Sequence, residues 1–292
     1  MRVNTIDTRL DIGNSFIIDE DFVVPFSGDR LVFATTESGL QIVAKISQPE
    51  KSRREWMGLL TAYYASVPSP QPLLLGQIDE QHSALISSRI IGRNMFYSSD
   101  LGLRHKLGKI VKSMHEQATA KGNEWLISGK SDFSYYDRKM DLWAREIVID
   151  QTTHPLLAQL SIHAPNYITK TLPVFNHNDI HDGQAIIENS GRIVLIDFGN
   201  WCEDTPLNDI AFYLFHCIRN NKDINYFVSF IDGYLGTSKL TDEEKTVILF
   251  ELLFISTRAV EYFARRKSGY LDTAKETHKR VLAYIEDETL FK

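Results

Sequence analysis

Apolar and polar residues alternate in short runs up to about Ile90, and the runs are separated by turn-forming residues such as Ser27-Gly28-Asp29. A helical stretch from about Ser52 to Tyr64 interrupts the runs and ends before a proline-rich segment. The front of the chain therefore predicts a five-stranded sheet carrying one helix, and its first three strands form an antiparallel meander. The predicted strands are Phe22–Val24, Arg30–Thr35, Leu40–Ile46, Leu73–Ile78 and Ser83–Ser87.

After Gly92 the apolar residues recur at helical spacing, first from Leu103 to Met114 and again from Tyr136 to Ile147. One exception is a hairpin predicted from Ala185–Glu188 and Arg192–Asp197, which are joined by a turn containing glycine. The pattern predicts an α+β fold. Residues 1–91 form a small antiparallel-sheet unit, and residues 92–292 form a larger, mostly helical one.

Composition and charge exclude several classes of protein. The chain has 292 residues and a net charge of -6, with no large Lys/Arg cluster, which argues against nucleic-acid binding. The most apolar window, Thr246 to Ser256, contains Glu251 and predicts a buried helix rather than a membrane span. The first residues lack a signal-peptide pattern, and Cys202 and Cys217 are expected to be free thiols, so we expect a cytoplasmic protein.

Two carboxylates flank the predicted hairpin. His177-Asn178-Asp179-Ile180-His181-Asp182-Gly183-Gln184 precedes it, and Ile196-Asp197-Phe198-Gly199 follows. Phosphoryl transfer needs one carboxylate to orient the attacking hydroxyl and another to hold Mg²⁺ against the nucleotide phosphates. The His-x-Asp and Asp-Phe-Gly signature of kinases is matched at each position except Gln184, where Asn is usual.

These motifs, with Pro206-Leu207-Asn208-Asp209-Ile210-Ala211, resemble those of the aminoglycoside phosphotransferase and choline kinase family. The resemblance implies a two-lobed protein-kinase-like fold and an ATP- and Mg²⁺-dependent enzyme. Its acceptor would be a hydroxyl of a small polar molecule, such as an aminoglycoside-type antibiotic or a choline-like or sugar-like metabolite. It assigns Asp179 as the catalytic base, Asp197 and Gln184 as metal ligands, and Asp209 as a structural residue that anchors the catalytic loop.

Lys45 ends a predicted strand, where a lysine would reach the α- and β-phosphates of ATP. Glu55, near the start of the following helix, is its expected partner. Alternatively, Lys45 is a solvated strand residue and Glu55 a helix-start charge favoured by the helix dipole.

The expected nucleotide loop contains Ser27 and one glycine, Gly28, so it also fits a plain hairpin turn. The resemblance expects adenine to bind backbone groups of Ser88 and Ile90 at the hinge.

Acidic residues close to the motifs in sequence, Asp182, Glu203 and Asp204, could attract a cationic acceptor, or they could be solvated loop charges. Trp201 could stack on a substrate ring or serve only in packing.

Two alternatives to a small-molecule kinase remain. Gln184 and the glycine-poor loop favour a pseudokinase or nucleotide-sensing protein that binds without turnover. A protein kinase is disfavoured because Pro206 to Asp209 closely follows Asp-Phe-Gly and no Ala-Pro-Glu follows. No Cys/His spacing predicts a structural zinc site.

Overall fold

A computed structural model describes residues 3–5, 16–24, 28–126, 160, 164, 167 and 170–287. The chain forms two compact units. The first consists of residues Met1–Ser98 together with Gly183–Trp201, and the second of Ser99–Asp182 together with Cys202–Lys292. The predicted stripe from Tyr136 to Ile147 lies outside the described residues, and the boundary at residue 91 stays a prediction.

The first unit is built on a six-stranded antiparallel sheet in the order β1-β5-β6-β4-β3-β2. The predicted meander is present as β2, β3 and β4. The prediction of five strands was wrong, because Val3–Thr5 pairs with β5 at the edge of the sheet and is too short to show a period. The strands are β1 (Val3–Thr5), β2 (Phe16–Val23), β3 (Arg30–Thr36), β4 (Gln41–Ser47), β5 (Pro72–Gln77) and β6 (Ser83–Ser88).

Helix α1 (Pro49–Tyr64) connects β4 to β5 and begins three residues before the predicted start. Pro49 occupies the first turn, where its fixed φ suits a helix and its missing N–H is not needed. The buried residues of the helix include Trp56, Leu59 and Ala62, which pack as core, and the carboxylate of Glu55. A charged side chain on this face requires a partner inside the unit.

A second sheet, in the order β10-β9-β7, completes the first unit. Strand β7 (Gly92–Asn94) pairs with β9 (Ala185–Glu188), which forms the predicted hairpin with β10 (Ile193–Leu195). Asn94 also donates its side-chain N–H to the Gly183 carbonyl oxygen at 2.8 Å. Residues far apart in sequence are therefore joined in one unit.

The described part of the second unit is mostly helical. Its helices are α2 (Leu101–Leu126), α3 (Leu207–Arg219), α4 (Ile224–Leu235), α5 (Asp242–Arg265) and α6 (Leu271–Asp287), and a two-stranded sheet pairs β8 (Val174–Asn176) with β11 (Cys202–Asp204). Helices α2 and α4 cross closely: a Cβ on Gly108 would lie 2.0 Å from the Phe230 carbonyl oxygen, and one on Gly233 would lie 1.9 Å from that of His105. Glycine is required at both positions.

Helix α5 contains the window predicted to be a buried helix. A capping box of Thr241 and Glu244 starts it, and the residues from Val247 to Ser256 are mostly buried. Among the described residues, no helix is both long and apolar enough to cross a bilayer. Cys202 and Cys217 are buried free thiols.

Candidate functional site

A cavity of about 190 Å³ lies in the first unit, between its sheet and the β9–β10 hairpin. Most of its wall is apolar, whereas charged side chains lie among its lining residues, on β4, on α1 and directly after β10. A cavity of this kind suits a ligand with an apolar ring and an anionic group. The apolar lining includes Leu31, Phe33, Val43, Leu85, Ile186 and Ile196, and the charged lining includes Lys45, Glu55 and Asp197.

Lys45 contacts two carboxylates at this cavity. Its Nζ lies 2.7 Å from Glu55 Oε2 and 2.9 Å from Asp197 Oδ1. The predicted contact between Lys45 and Glu55 is therefore present. The Lys45 side chain is only 14% exposed, so the alternative that it is a solvated strand residue does not hold. The Lys45 ammonium pairs with two carboxylates, so the cluster of Lys45, Glu55 and Asp197 carries a net negative charge when all three groups are ionised.

Burial and charge act in opposite directions on this cluster. Burial alone would lower the pKa of the Lys45 amine, but Glu55 and Asp197 outweigh it and hold that pKa above its usual range. Burial raises the pKa of the Glu55 carboxyl to about 7, because the opposing effect of Lys45 is partly offset by the charge of Asp197. Lys45 therefore stays protonated at neutral pH.

Gln184 and Asp197 meet beside Lys45. Gln184 Nε2 donates to Asp197 Oδ2 at 3.3 Å. Asp197 adopts a left-handed backbone with φ of 62°, a conformation that favours glycine and is retained at functional turns. The amide nitrogen and oxygen of a glutamine exchange places by rotation of the side-chain amide. With the oxygen facing Asp197, the pair offers the oxygen ligands that Mg²⁺ prefers, so these residues fit the metal implied by the resemblance.

Trp201 fastens the segment after Asp197 to helix α1. Its indole Nε1 donates to the Arg54 carbonyl oxygen at 2.7 Å, and the Arg54 guanidinium donates back to the Trp201 carbonyl oxygen at 2.9 Å. The indole packs against Gly58, where a Cβ would lie 2.3 Å from the ring. Trp201 is 2% exposed, so we assign it to packing rather than to substrate stacking.

The hinge residues Ser88 and Ile90 also line the cavity. Backbone N–H groups of Ser88 and Arg89 donate to the carbonyl oxygens of Gln71 and Gln41, at 2.9 and 3.0 Å. Within the described part of the chain, no such internal acceptor is found for the Ile90 N–H. Ile90 thus offers a backbone donor at the cavity wall.

The loop expected to bind nucleotide connects β2 and β3. Ser27 lies outside the described residues. Gly28 has φ of 71° and donates its N–H to the Val24 carbonyl oxygen at 3.2 Å, as in a tight hairpin turn. The glycine is needed for the turn itself.

In the second unit, Asp209 anchors the loop that carries Asp179, as predicted. Its carboxylate accepts from the backbone N–H groups of His177 and Asn178 at 2.9 and 2.7 Å. His115 Nε2 lies 3.0 Å from the same carboxylate. Asp209 is fully buried, so these contacts hold the loop rigidly.

Asp179 lies beside two histidines. Its Oδ1 is 3.1 Å from His216 Nε2 and 4.0 Å from His181 Nε2. Burial alone would raise the pKa of Asp179, but the hydrogen bond from His216 and the electrostatic effects of the neighbouring histidines together outweigh it, and the pKa is about 2. Burial lowers the pKa of His181 to about 3, so the His181 ring is neutral near pH 7.

Asp182 is a buried structural ion. Arg104 Nη2 donates to its Oδ2 at 2.6 Å, and the Tyr213 hydroxyl donates to its Oδ1 at 2.7 Å. Since both carboxylate oxygens accept internal hydrogen bonds, we assign Asp182 to holding its loop and not to binding an acceptor.

Glu203 and Asp204 differ in exposure. Asp204 is fully buried, and its Oδ1 accepts from the Thr205 N–H at 2.7 Å. Glu203 is half-buried, and burial raises its pKa. Of the three acidic residues considered for a cationic acceptor, Glu203 keeps the greatest exposure.

Several solved structures share the fold of this chain. A solved structure of the amicoumacin kinase hAmiN, in complex with AMP-PNP, Ca²⁺ and Ami, matches with a TM-score of 0.67 at 15% identity and covers 96% of this chain and 91% of that one. The ethanolamine kinase of Plasmodium vivax matches with a TM-score of 0.63 at 12% identity, covering 94% and 84%. The GDP and kanamycin complex of APH(2″)-IIia matches with a TM-score of 0.63 at 14% identity, covering 93% of each chain. A search of curated proteins finds no match.

The fold is therefore protein-kinase-like, of the kind found in small-molecule kinases. The chain belongs to the phosphotransferase enzyme family, whose profile matches residues 24–246. The resemblance to aminoglycoside phosphotransferases and choline kinases is confirmed.

Proposed function

We propose that this protein transfers the γ-phosphoryl group of ATP to a hydroxyl of a small polar molecule. The observation that carries the proposal is the contact of Lys45 with both Glu55 and Asp197 at the charged part of an apolar cavity. This combination supplies an apolar surface for a base and a fixed cation for phosphates. Nucleotide complexes of hAmiN and APH(2″)-IIia, which share the fold, support the same ligand class.

Adenine would lie against the apolar wall, where the Ile90 N–H and a backbone group of Ser88 are its hydrogen-bonding partners. Lys45 would bind the α- and β-phosphates, and Glu55 would keep the ammonium aimed at them. Asp197 and Gln184 would hold Mg²⁺, which when bound neutralises charge on the phosphates.

Asp179 would orient the acceptor hydroxyl and accept its proton. Its low pKa keeps it ionised at neutral pH, so it is a hydrogen-bond acceptor whenever the substrate binds. It precedes Gln184 by five positions, which is the spacing of the kinase motif. Asp209 holds the loop in place for this role.

The acceptor would be a small alcohol. The neighbours named above include an amicoumacin kinase and an ethanolamine kinase, so a screen should cover acceptors of different chemical classes. The protein is incubated with Mg²⁺-ATP and aminoglycosides, macrolides, choline, ethanolamine, homoserine and sugar alcohols, and phosphorylated products are measured by mass spectrometry.

Asp179→Asn is the test variant, and the exposed Asp242→Asn is the matched control. We expect one acceptor class to be phosphorylated, with Asp179→Asn at least about 1,000-fold slower and Asp242→Asn unchanged. Equal background rates for wild type and Asp179→Asn on all acceptors would contradict the proposal.

A second candidate function is nucleotide binding without turnover. It is favoured by Gln184, which stands where the kinase motif usually has Asn, and by the single glycine of the β2–β3 loop. It predicts that ATP raises the melting temperature equally with and without Mg²⁺. A shift that needs Mg²⁺, together with product formation, would exclude it.

A further inference from the structure

Three metal-ligating side chains converge in the second unit. One ligand atom from each of Asp179, His181 and His216 lies within 4.8 Å of the other two. The sequence shows no zinc-binding spacing here, because the third residue comes from a helix 35 positions after His181. The fold, and not a local motif, brings the three together.

The chain holds these groups before any ion arrives. Asp179 and His181 lie on the loop fixed by Asp209, which starts at Asn178 with φ of 60°. His216 projects from helix α3, and its ring stacks on that of His181 with centroids 4.1 Å apart. The backbone positions are thus fixed before an ion binds, so the ordering cost is limited to turning the two stacked imidazoles until both Nε2 atoms face the ion.

The spacing fits a transition-metal ion. Ligand atoms about 2.0–2.2 Å from a tetrahedral zinc lie about 3.4 Å from one another. Here Asp179 Oδ1 lies 3.1 Å from one imidazole nitrogen and 4.0 Å from the other, so small side-chain rotations complete the set. Two imidazoles and one carboxylate are typical ligands of zinc, whereas magnesium prefers oxygen.

The group is also reachable from solvent. The side chains of Asp179 and His181 are 25% and 22% exposed, and that of His216 is 10% exposed. A buried structural ion would be enclosed on all sides, whereas this arrangement leaves a coordination position open for water.

We propose that Asp179, His181 and His216 form a Zn²⁺-type metal site, separate from the Mg²⁺ ligands Asp197 and Gln184, and that the bound ion inhibits phosphoryl transfer. The ion binds Nε2 of His216, whose proton moves to Nδ1, and takes the carboxylate oxygen that the acceptor hydroxyl would otherwise contact. Metal binding stands on the three side chains alone, while the inhibition rests on the proposed function.

Binding is measured first, with Co²⁺ as a spectroscopic probe and the full chain free of other metals. Co²⁺ held by two nitrogens and an oxygen in a tetrahedral site gives visible absorption bands, which Zn²⁺ abolishes by displacement. We expect one equivalent to bind at micromolar concentration. His181→Gln and His216→Gln should each weaken binding at least tenfold, and the exposed His82→Gln serves as the matched control with unchanged bands.

Either histidine variant alone decides the result if the other fails to fold, as judged by circular dichroism. Wild type without tetrahedral Co²⁺ bands, or a folded histidine variant that keeps them, would overturn the site.

Inhibition is measured as the rate of phosphoryl transfer in excess Mg²⁺, with and without micromolar Zn²⁺. We expect Zn²⁺ to lower the rate and EDTA to restore it. Bands without any transfer to any acceptor would contradict the proposed function and leave the metal site standing, whereas Zn²⁺-insensitive transfer would overturn the inhibition.

Discussion

Lys45 and Glu55 form a buried ion pair of 2.7 Å across the interior of the first unit, between strand β4 and helix α1. The pair also fixes the lysine 2.9 Å from Asp197, so one side chain connects the sheet, the helix and the candidate metal ligand. Loss of the ammonium would therefore disturb both phosphate binding and the position of Asp197.

Lys45→Met is expected to lower kcat/KM for ATP by about 100-fold or more, because the fixed positive charge aimed at the phosphates is lost. Steady-state kinetics measure this. Lys245→Met is the control, since Lys245 pairs with the exposed Asp242 and does not line the cavity, so this variant should leave kcat/KM within about twofold. A Lys45→Met enzyme as active as the control would contradict the role of Lys45.

Gln184→Ala is expected to raise the Mg²⁺ concentration for half-maximal activity by about tenfold, because one of the two proposed oxygen ligands is removed. Titration of activity with Mg²⁺ at fixed ATP measures the change. Gln77→Ala, on the exposed end of β5, is the control. An unchanged Mg²⁺ dependence would mean that Gln184 contacts Asp197 without binding metal.

Asp209→Ala is expected to lower the free energy of unfolding by about 2–4 kcal/mol, because it leaves two backbone N–H groups buried without their acceptor. Urea denaturation measures this. Asp242→Ala removes an exposed carboxylate paired with Lys245 and should cost less than about 0.5 kcal/mol. Equal effects of the two variants would refute the anchoring role of Asp209.

Gly58→Ala is expected to lower the melting temperature by several degrees, because the new Cβ would lie 2.3 Å from the Trp201 ring and 2.8 Å from the Phe198 carbonyl oxygen. The displaced segment follows Asp197, so ATP affinity should fall as well. Gly269→Ala has open space around its Cβ and should leave both quantities unchanged. Calorimetry and nucleotide titration test the pair.

Glu203 predicts a pH dependence of stability. Burial raises its pKa above the ordinary value of 4.5, so the folded chain binds the proton more tightly than the unfolded chain. The free energy of unfolding therefore falls as the pH rises above 4.5 and Glu203 loses its proton. Glu203→Gln, which does not titrate, should gain stability relative to wild type in urea denaturation as the pH rises above 4.5. A pH-independent difference would contradict the assignment.

Local patterns were sufficient to predict the meander, the helix and the hairpin of the first unit. The contact of Lys45 with Glu55 was predicted because a strand-end lysine and an acidic residue at the start of the next helix have a recognisable spacing. The metal-binding roles of Gln184 and Asp197, which the resemblance implies, stay predictions. Strand β1 was missed because three residues carry no measurable period.

The side chains that contact Asp179 and Asp182, on one loop of the second unit, could not be predicted in the same way. Arg104 lies within the helical stretch predicted from Leu103 to Met114 but was not singled out, because its contact with Asp182 depends on helix α2 meeting a loop 78 residues later. His216 lies in the apolar helix α3, where a histidine gives no local signal of its contact with Asp179. Burial of Asp182, Asp204 and Trp201 likewise results from tertiary packing, which charge and aromatic character alone do not reveal.

The discontinuity of the first unit has a consequence for biosynthesis. Its sheet is complete at Ser98, but the hairpin that pairs with β7 and supplies Asp197 follows only after the 84 residues from Ser99 to Asp182. At about 5–20 residues per second, a ribosome needs roughly 4–17 seconds to synthesise that interval. During this time strand β7 has no partner for its edge, and the cavity lacks Ile186 and Ile196 from its wall. A nascent chain or a fragment ending before Gly183 would therefore hold Lys45 and Glu55 beside an incomplete cavity, and a ligand of this cavity could stabilise the protein only after the hairpin has emerged.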